Sequence, residues 1–249
     1  MADAIQASYL AKRKALEAWA GSSVSLGALP ETTRQALQVA PPLSLVLPEG
    51  GFPQGSVVEL TSPANLGHGL GVALAACSAS QQASVRRGGE RAWCAFLDPD
   101  HTLFGPAIQA SGVSLERLLV LRPARHLLAK VAVRVALSHI FSVIVVDVAA
   151  VPGVSLPSKA HRAESMEVWS KVTRRLSLAV EKTPTTVFLL TRAEAHRPAA
   201  LPAAMRVELE SAWPDSLFVR VAKDRFGRVM GPRQIAWTRP PHQAAPQTG

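Results

Sequence analysis

The chain has 249 residues, 48% of them hydrophobic and 18% charged, with two cysteines and a formal net charge of +9. That length supports one sizeable core and falls short of two average domains, and the apolar runs, all short and broken by charge or proline, exclude a bilayer-spanning helix of roughly 20 apolar residues. Isolated Cys77 and Cys94, and an N-terminus without a basic start, apolar block and small-residue cleavage site, predict a cytoplasmic protein with neither disulfide nor zinc, while the positive charge calls for a polyanionic or acidic partner.

Residues 5–20 read as a helix, with Ile5, Tyr9, Leu16 and Trp19 near the 3.6-residue period and Lys12, Arg13 and Lys14 on another face. A Ser/Gly-rich stretch at 21–29 precedes a second short helix at about 31–38, closed by Pro41 and Pro42. Residues 1–42 are therefore expected to form a helical arm and linker, 43–239 the core domain, and 240–249, PPHQAAPQTG, a disordered tail.

Within the core, SVVEL at 56–60 leads into the small-residue helix GLGVALAACSASQQASVRR, followed by AWCAFLD at 92–98 and LLVLRP at 118–123. The helix AKVAVRVALSH at 129–139 and the run SVIVVDV at 142–148 continue the alternation, which predicts βαβ units and a parallel sheet. Continuous β-branching in SVIVVDV marks a strand buried on both faces. After VPGVSLPSK, a helix at about 163–182 keeps Met166, Trp169, Val172, Leu176 and Val180 at helical spacing, and TTVFLL at 185–190 is the next strand. RVELES, SLFVRVAKD and RQIAWT alternate by twos, as antiparallel strands do. The expected fold class is α/β: a mostly parallel sheet flanked by helices and extended by C-terminal antiparallel strands.

Chemistry is expected where a strand runs through a glycine-containing turn into a helix, because such a turn aims main-chain N–H groups and the helix N-terminus at a phosphate. That turn is SPANLGHGL at 62–70. Against the P-loop pattern GxxxxGK[ST], Ser62 stands at the first glycine, Gly67 matches, His68 replaces the lysine and Gly69 replaces the magnesium-holding hydroxyl residue. An imidazole is shorter than lysine and supplies no constant positive charge at neutral pH, and glycine offers no side-chain oxygen to a metal. The loop reads as vestigial, with no nucleotide cofactor and no catalytic residue expected. Asp147 ends SVIVVDV as a magnesium-orienting acid would, and FLDPDH at 96–101 places Asp98 and Asp100 after another strand; without the loop's lysine and hydroxyl these acids also read as vestigial. The histidines at 68, 101, 126, 139, 161 and 196 have no ligand spacing, so no metal site is expected.

From Arg220 onward, Arg220, Lys223, Arg225, Arg228, Arg233 and Arg239 stand against Asp224 alone, so this stretch supplies a net +5 of the chain's +9. These residues are the candidate contacts for a nucleic acid or protein partner, and with aromatics at only 5% any nucleic-acid contact would be directed to phosphate rather than to stacked bases.

The order of these segments resembles the RecA family. GGFPQGSVVELTSP at 50–63 is similar to that family's lead-in to its P-loop, FLDPDH to the segment bearing its catalytic acid, which falls at Asp100, and GVSLERLLVLRP at 112–123 to the stretch after its second core helix. SVIVVDVAAV is similar to its acid-bearing strand and TTVFLLTRAE to the next core strand, so that the resemblance spans about 43–238. With a ruined P-loop and this length, the chain resembles the ImuA proteins. That resemblance implies a non-catalytic role in error-prone translesion synthesis, with an ImuB-like homologue of Y-family polymerases as partner, an error-prone C-family DNA polymerase engaged indirectly, and direct contact with RecA. The regions where RecA carries its DNA loops, 149–162 and 192–204, lack a DNA-reading composition here. Two alternatives stand beside this reading: a DNA-stimulated ATPase with an atypical loop, and a division inhibitor resembling SulA, whose family also has a RecA-like core without a P-loop.

Overall fold

A computed structural model describes residues 35–63, 67–149, 151, 154, 162–193, 201–212 and 215–237. The chain divides into two units, Met1–Arg34 and Gln35–Gly249. The helix expected at 5–20 and the tail at 240–249 lie outside the described residues.

The second unit is built on an eight-stranded sheet. Its strands are β3 (Ser56–Ser62), β4 (Trp93–Leu97), β5 (Leu118–Leu121), β6 (Phe141–Asp147), β7 (Thr186–Arg192), β8 (Met205–Ala212), β9 (Ser216–Asp224) and β10 (Met230–Ala236), in the spatial order β10-β9-β8-β3-β7-β6-β4-β5. The six strands from β5 to β8 are mutually parallel, and β9 and β10 continue the sheet antiparallel. The expected α/β architecture is therefore present. A parallel pair needs a crossover that covers the sheet, and the helices α1 (His68–Arg86), α3 (Leu128–Leu137) and α4 (Arg162–Val180) supply three of them; α2 (Gly105–Ala110) is a short turn of helix before β5.

Alternation along the strands assigns each face its cover. Val58, Leu60, Val143, Val145, Phe188 and Val207 point to one face, where α1 packs; Val57, Ile144, Val146, Val187 and Leu189 point to the other, beneath α3 and α4. SVIVVDV is buried on both faces, as its continuous β-branching predicts. The small residues of α1, including Ala73, Ala76 and Cys77, are buried and bring this helix close to the sheet. Gln81 pins it further: its side-chain amide donates to the Ser114 carbonyl at 3.2 Å and accepts from the Ser114 N–H at 2.8 Å. No helix of the described residues is long and apolar enough to cross a membrane.

One expectation is corrected. Residues 36–38, read as the end of a helix, form strand β1 (Ala36–Gln38), which pairs antiparallel with β2 (Gly51–Pro53). Leu37 and Val39 are buried in the α1-side core, so the folded body takes in residues before position 43. Tertiary pairing overrides the local helical pattern because Gly51 admits it: a Cβ there would stand 2.1 Å from the Leu37 carbonyl oxygen. Gly55, at φ +63°, has the Glu181 carbonyl oxygen 2.9 Å from its would-be Cβ. The GGFPQG turn thus needs glycine for close backbone approach at one end and for left-handed geometry at the other. Phe52, between them, is fully buried and meets Phe188 edge-on with ring centroids 4.9 Å apart.

RVELES, in β8, pairs antiparallel with SLFVRVAKD of β9, as expected, and its other edge meets a parallel strand, β3. A period of two reports that alternate side chains face core and solvent, and says nothing about the direction of the neighbouring strand.

Candidate functional site

The carboxyl ends of β3, β4, β6 and β7 open onto a cavity of about 280 Å³. Open parallel sheets place ligand sites at this end of their strands. Ser62, Gly67 and Gly69 contribute the strand-to-helix turn, Phe96 lies on β4, and Asp147 and Arg192 close the wall from the ends of β6 and β7. Thr102 and Thr191 add hydroxyls. Gly67 stands at φ +63° immediately before α1 and accepts the first helical hydrogen bond from Gly71 at 3.0 Å. Left-handed geometry of that kind is what a glycine tolerates before a helix, and it leaves the N-terminus of α1 at the cavity.

His68 follows at once, yet its side chain is 2% exposed and is not among those lining the cavity. The residue in the lysine position is turned into the fold and does not offer a cation to the cavity. Gly69 does line it, and a Cβ there would meet Ser62 Oγ at 3.6 Å and Leu190 Cδ2 at 3.7 Å, ordinary contact distances. A hydroxyl residue would thus fit at position 69; its absence belongs to the sequence and is not imposed by crowding.

Asp147 sits where the sequence places it. It is 9% exposed, lines the cavity and accepts the Ala149 N–H at 2.9 Å. Burial pushes its carboxyl above the ordinary range; the Ala149 N–H draws it back, Asp100 and Asp98 add like charge, and Arg192 opposes them. A carboxyl raised in this way is a weaker cation ligand than a free aspartate. Asp98 serves the turn that follows β4: its fully buried carboxylate accepts the Thr102 N–H at 2.8 Å, the Thr102 hydroxyl at 3.1 Å and the Leu103 N–H at 3.2 Å, with Arg122 at 3.7 Å. Asp100 pairs with Arg125 at 2.6 Å. Taken together, the residues do not fit magnesium-bound nucleotide held in the usual manner, since the described residues of the wall include no ammonium group and position 69 has no side-chain oxygen.

The structure thus brings Ser62, Gly67, Gly69 and Asp147 to one cavity and leaves His68 and Asp100 out of its wall. Arg192, Phe96 and Thr102 were not singled out from sequence. The signal available for Arg192 was its place just after TTVFLL, at the carboxyl end of a parallel strand.

The basic C-terminal residues lie elsewhere. Met205, at the start of β8, pairs with Asp224, whereas the cavity lies beyond Ser62, at the far end of β3. The turn between β9 and β10 is therefore at the end of the sheet opposite the cavity. Arg228 donates to Asp224 at 2.6 Å and to Glu49, Arg220 to Glu208 at 3.2 Å, and Arg233 to the Leu45 carbonyl at 3.5 Å. Arg225 lies over the Phe226 ring at 4.7 Å. Lys223 stands opposite Arg206 in the strand register. Most of the regions compared with the two DNA loops of RecA, 149–162 and 192–204, lie outside the described residues.

Comparison with known proteins agrees with this layout. The family model described as RecA N-terminal domain matches residues 18–195. Protein RecA of Bacillus subtilis (strain 168) is 30% identical over 180 residues, which cover 68% of this chain and 49% of that protein. Protein RecA of Thermus thermophilus is 31% identical over 180 residues, covering 68% and 50%, and Protein RecA of Oceanobacillus iheyensis 31% over 154 residues, covering 59% and 42%. The chain spans about half the length of the curated relatives it matches.

Proposed function

Because the chain belongs to the RecA N-terminal domain family, we propose that it works as a non-catalytic, ImuA-like accessory of DNA-damage tolerance, keeping the family's core as a docking body and not its nucleotide chemistry. Its partners in this reading are an ImuB-like homologue of Y-family polymerases, RecA itself, and, through the first of these, an error-prone C-family DNA polymerase. A RecA-like core is suited to meeting a RecA protomer, because related surfaces on related cores pair in the same register. Such contact would modulate a RecA filament without hydrolysis by the accessory.

One observation carries the proposal: the side chain at the lysine position, His68, is buried away from a cavity whose wall still holds Asp147. Phosphoryl transfer depends on positioned cations to neutralise developing charge, and this wall offers Arg192 alone as a cation among its described residues. The reading is tested by pull-down of the full chain against RecA and an ImuB-like protein, together with a RecA strand-exchange assay in its presence. Binding to one of them and a dose-dependent effect on exchange are expected; absence of both overturns the proposal. Asp147 in the cavity wall favours a second reading, a DNA-stimulated ATPase with an atypical loop. Turnover that disappears in Asp147→Ala would establish it in place of the first.

A further inference from the structure

Two groups of cations in this molecule are held differently. Around the β9–β10 turn, Arg206, Arg220 and Arg228 are each held by a carboxylate, and Arg225 rests on an aromatic ring. On the layer formed by α3 and α4 the situation differs. α3 turns Leu128, Ala132 and Ala136 onto the sheet and exposes Lys130 and Arg134 on its opposite side; it contains no acidic residue. α4 buries Met166, Trp169, Val172, Leu176 and Val180 and exposes Lys171, Arg174 and Arg175. The two helices touch each other and pack on the same face of the sheet, so their outward sides form one surface.

Of the five cations on that surface whose side chains are described, Lys171 pairs with Glu167 at 2.6 Å. Lys130, Arg134, Arg174 and Arg175 make no ion pair with another described residue. The remaining acids of this stretch, Glu164 and Glu181, fall in the first turn of α4 and just beyond its end. Lys130 and Arg134 are four residues apart on one helix, as are Lys171 and Arg175 on the other, and like charges at that spacing destabilise a helix. Unpaired cations concentrated on a rigid face, at some cost to the helices that bear them, are the footprint of a polyanion site.

We infer that the outer surface of α3 and α4 binds the phosphate backbone of duplex DNA without reading its sequence. Duplex is favoured over single strand because the surface offers no ring on which bases could stack: Trp169 is buried beneath it, and the apolar side chains exposed on α4 are Val168 and Leu178. Two helices fixed on a sheet present their charges at constant spacing, which suits a regular backbone. The site is separate from the cavity at the carboxyl ends of the strands and from the β9–β10 turn. It rests on charge and burial, and it does not depend on the partners proposed above.

The test uses the full chain and fluorescence anisotropy with a labelled duplex of arbitrary sequence and the matching single strand. Four to five phosphate contacts give a slope of log K against log salt of about −4, that is, a loss of several hundredfold in affinity between about 50 and about 200 mM salt. The triple variant Lys130→Gln/Arg174→Gln/Arg175→Gln is expected to flatten that slope by about 2 to 3 and to weaken binding equally for unrelated duplex sequences. Lys223→Gln/Arg225→Gln is expected to leave the slope unchanged. Because Lys130, Arg174, Arg175 and Arg225 are exposed and Lys223 is only half-buried, both variants should melt within a few degrees of the parent, which separates loss of binding from loss of fold. No duplex binding at about 50 mM salt, an unchanged slope in the triple variant, a slope abolished by the β9–β10 variant, or single strand bound about tenfold more tightly than duplex would each overturn the inference.

Discussion

Replacing Arg228 by methionine separates structural from binding roles among the C-terminal cations. Its guanidinium donates to Asp224, whose side chain is fully buried, and to Glu49, which is 39% exposed; the arginine side chain itself is 28% exposed. Removing one partner of a fully buried pair costs about 3–5 kcal/mol, because a charge is stranded, while an exposed pair contributes about 0–1 kcal/mol. With more than a quarter of the arginine side chain solvated, Arg228→Met is expected to cost about 2 kcal/mol, a fall in Tm of about 4–8 °C for a folded body of this size. The cost should depend on pH in a defined sense. Burial pushes the Asp224 carboxyl up, but hydrogen bonds and charge from Arg228, with the Phe226 N–H, outweigh it and hold the group below the ordinary aspartate value. A depressed folded-state pKa contributes stability that is present above the unfolded-state value and lost as pH falls through the folded one. Thermal melts followed by circular dichroism should therefore show the full gap between parent and variant at neutral pH, and a closing gap as pH drops through the carboxylate range. A variant that melts with the parent at neutral pH, or a gap that persists undiminished in acid, would refute the reasoning.

Gly51→Ala places a Cβ against the Leu37 carbonyl at 2.1 Å, a main-chain contact that cannot give, so β1 should detach and stability should fall by more than about 3 kcal/mol in denaturant titration; a loss under about 1 kcal/mol would contradict the close approach. Asp147→Asn keeps an acceptor for the Ala149 N–H while removing a buried charge. Since a raised folded-state pKa means stability lost as pH rises through that value, this variant should melt higher than the parent at neutral pH and converge with it in acid, and an unchanged or lower Tm at neutral pH would count against it. Trp169→Ala, at a position 4% exposed under α4, should cost about 3–5 kcal/mol by denaturant midpoint; a small loss would mean that the helix is not docked through that ring.

Local patterning carried most of the fold. The β-branched run at 142–148 and the Met166-to-Val180 stripe identify a buried strand and a packed helix because each depends only on neighbours in sequence. Strand β1 was illegible for the opposite reason: its partner lies fifteen residues on from Ala36, at positions 51–53, and the pairing is decided by what Gly51 lacks. The parallel pairing of β8 with β3 was likewise hidden, since β3 is distant in sequence. At the site, Asp147 was visible as a strand-ending acid, whereas the burial of the His68 side chain was not, since substitution at a motif position does not say where the new side chain points. Segmental charge marked the C-terminal residues as a basic surface. It could not show that Arg228 is matched by Glu49, 179 residues away, or Arg220 across the strand by Glu208. The same limit hid α3 and α4, whose cations are unremarkable in number and become notable only once the paired ones are set aside.

The most direct measurement is a titration of the full chain with labelled ATP and magnesium, with and without single-stranded DNA and RecA, coupled to phosphate release. A cavity whose described wall has no lysine ammonium, and no hydroxyl at position 69, is expected to give no saturable binding tighter than about 1 mM, and no release above the buffer blank in any combination that lacks RecA. Micromolar ATP affinity, or release by the chain alone that vanishes in Asp147→Ala, would contradict the non-catalytic reading.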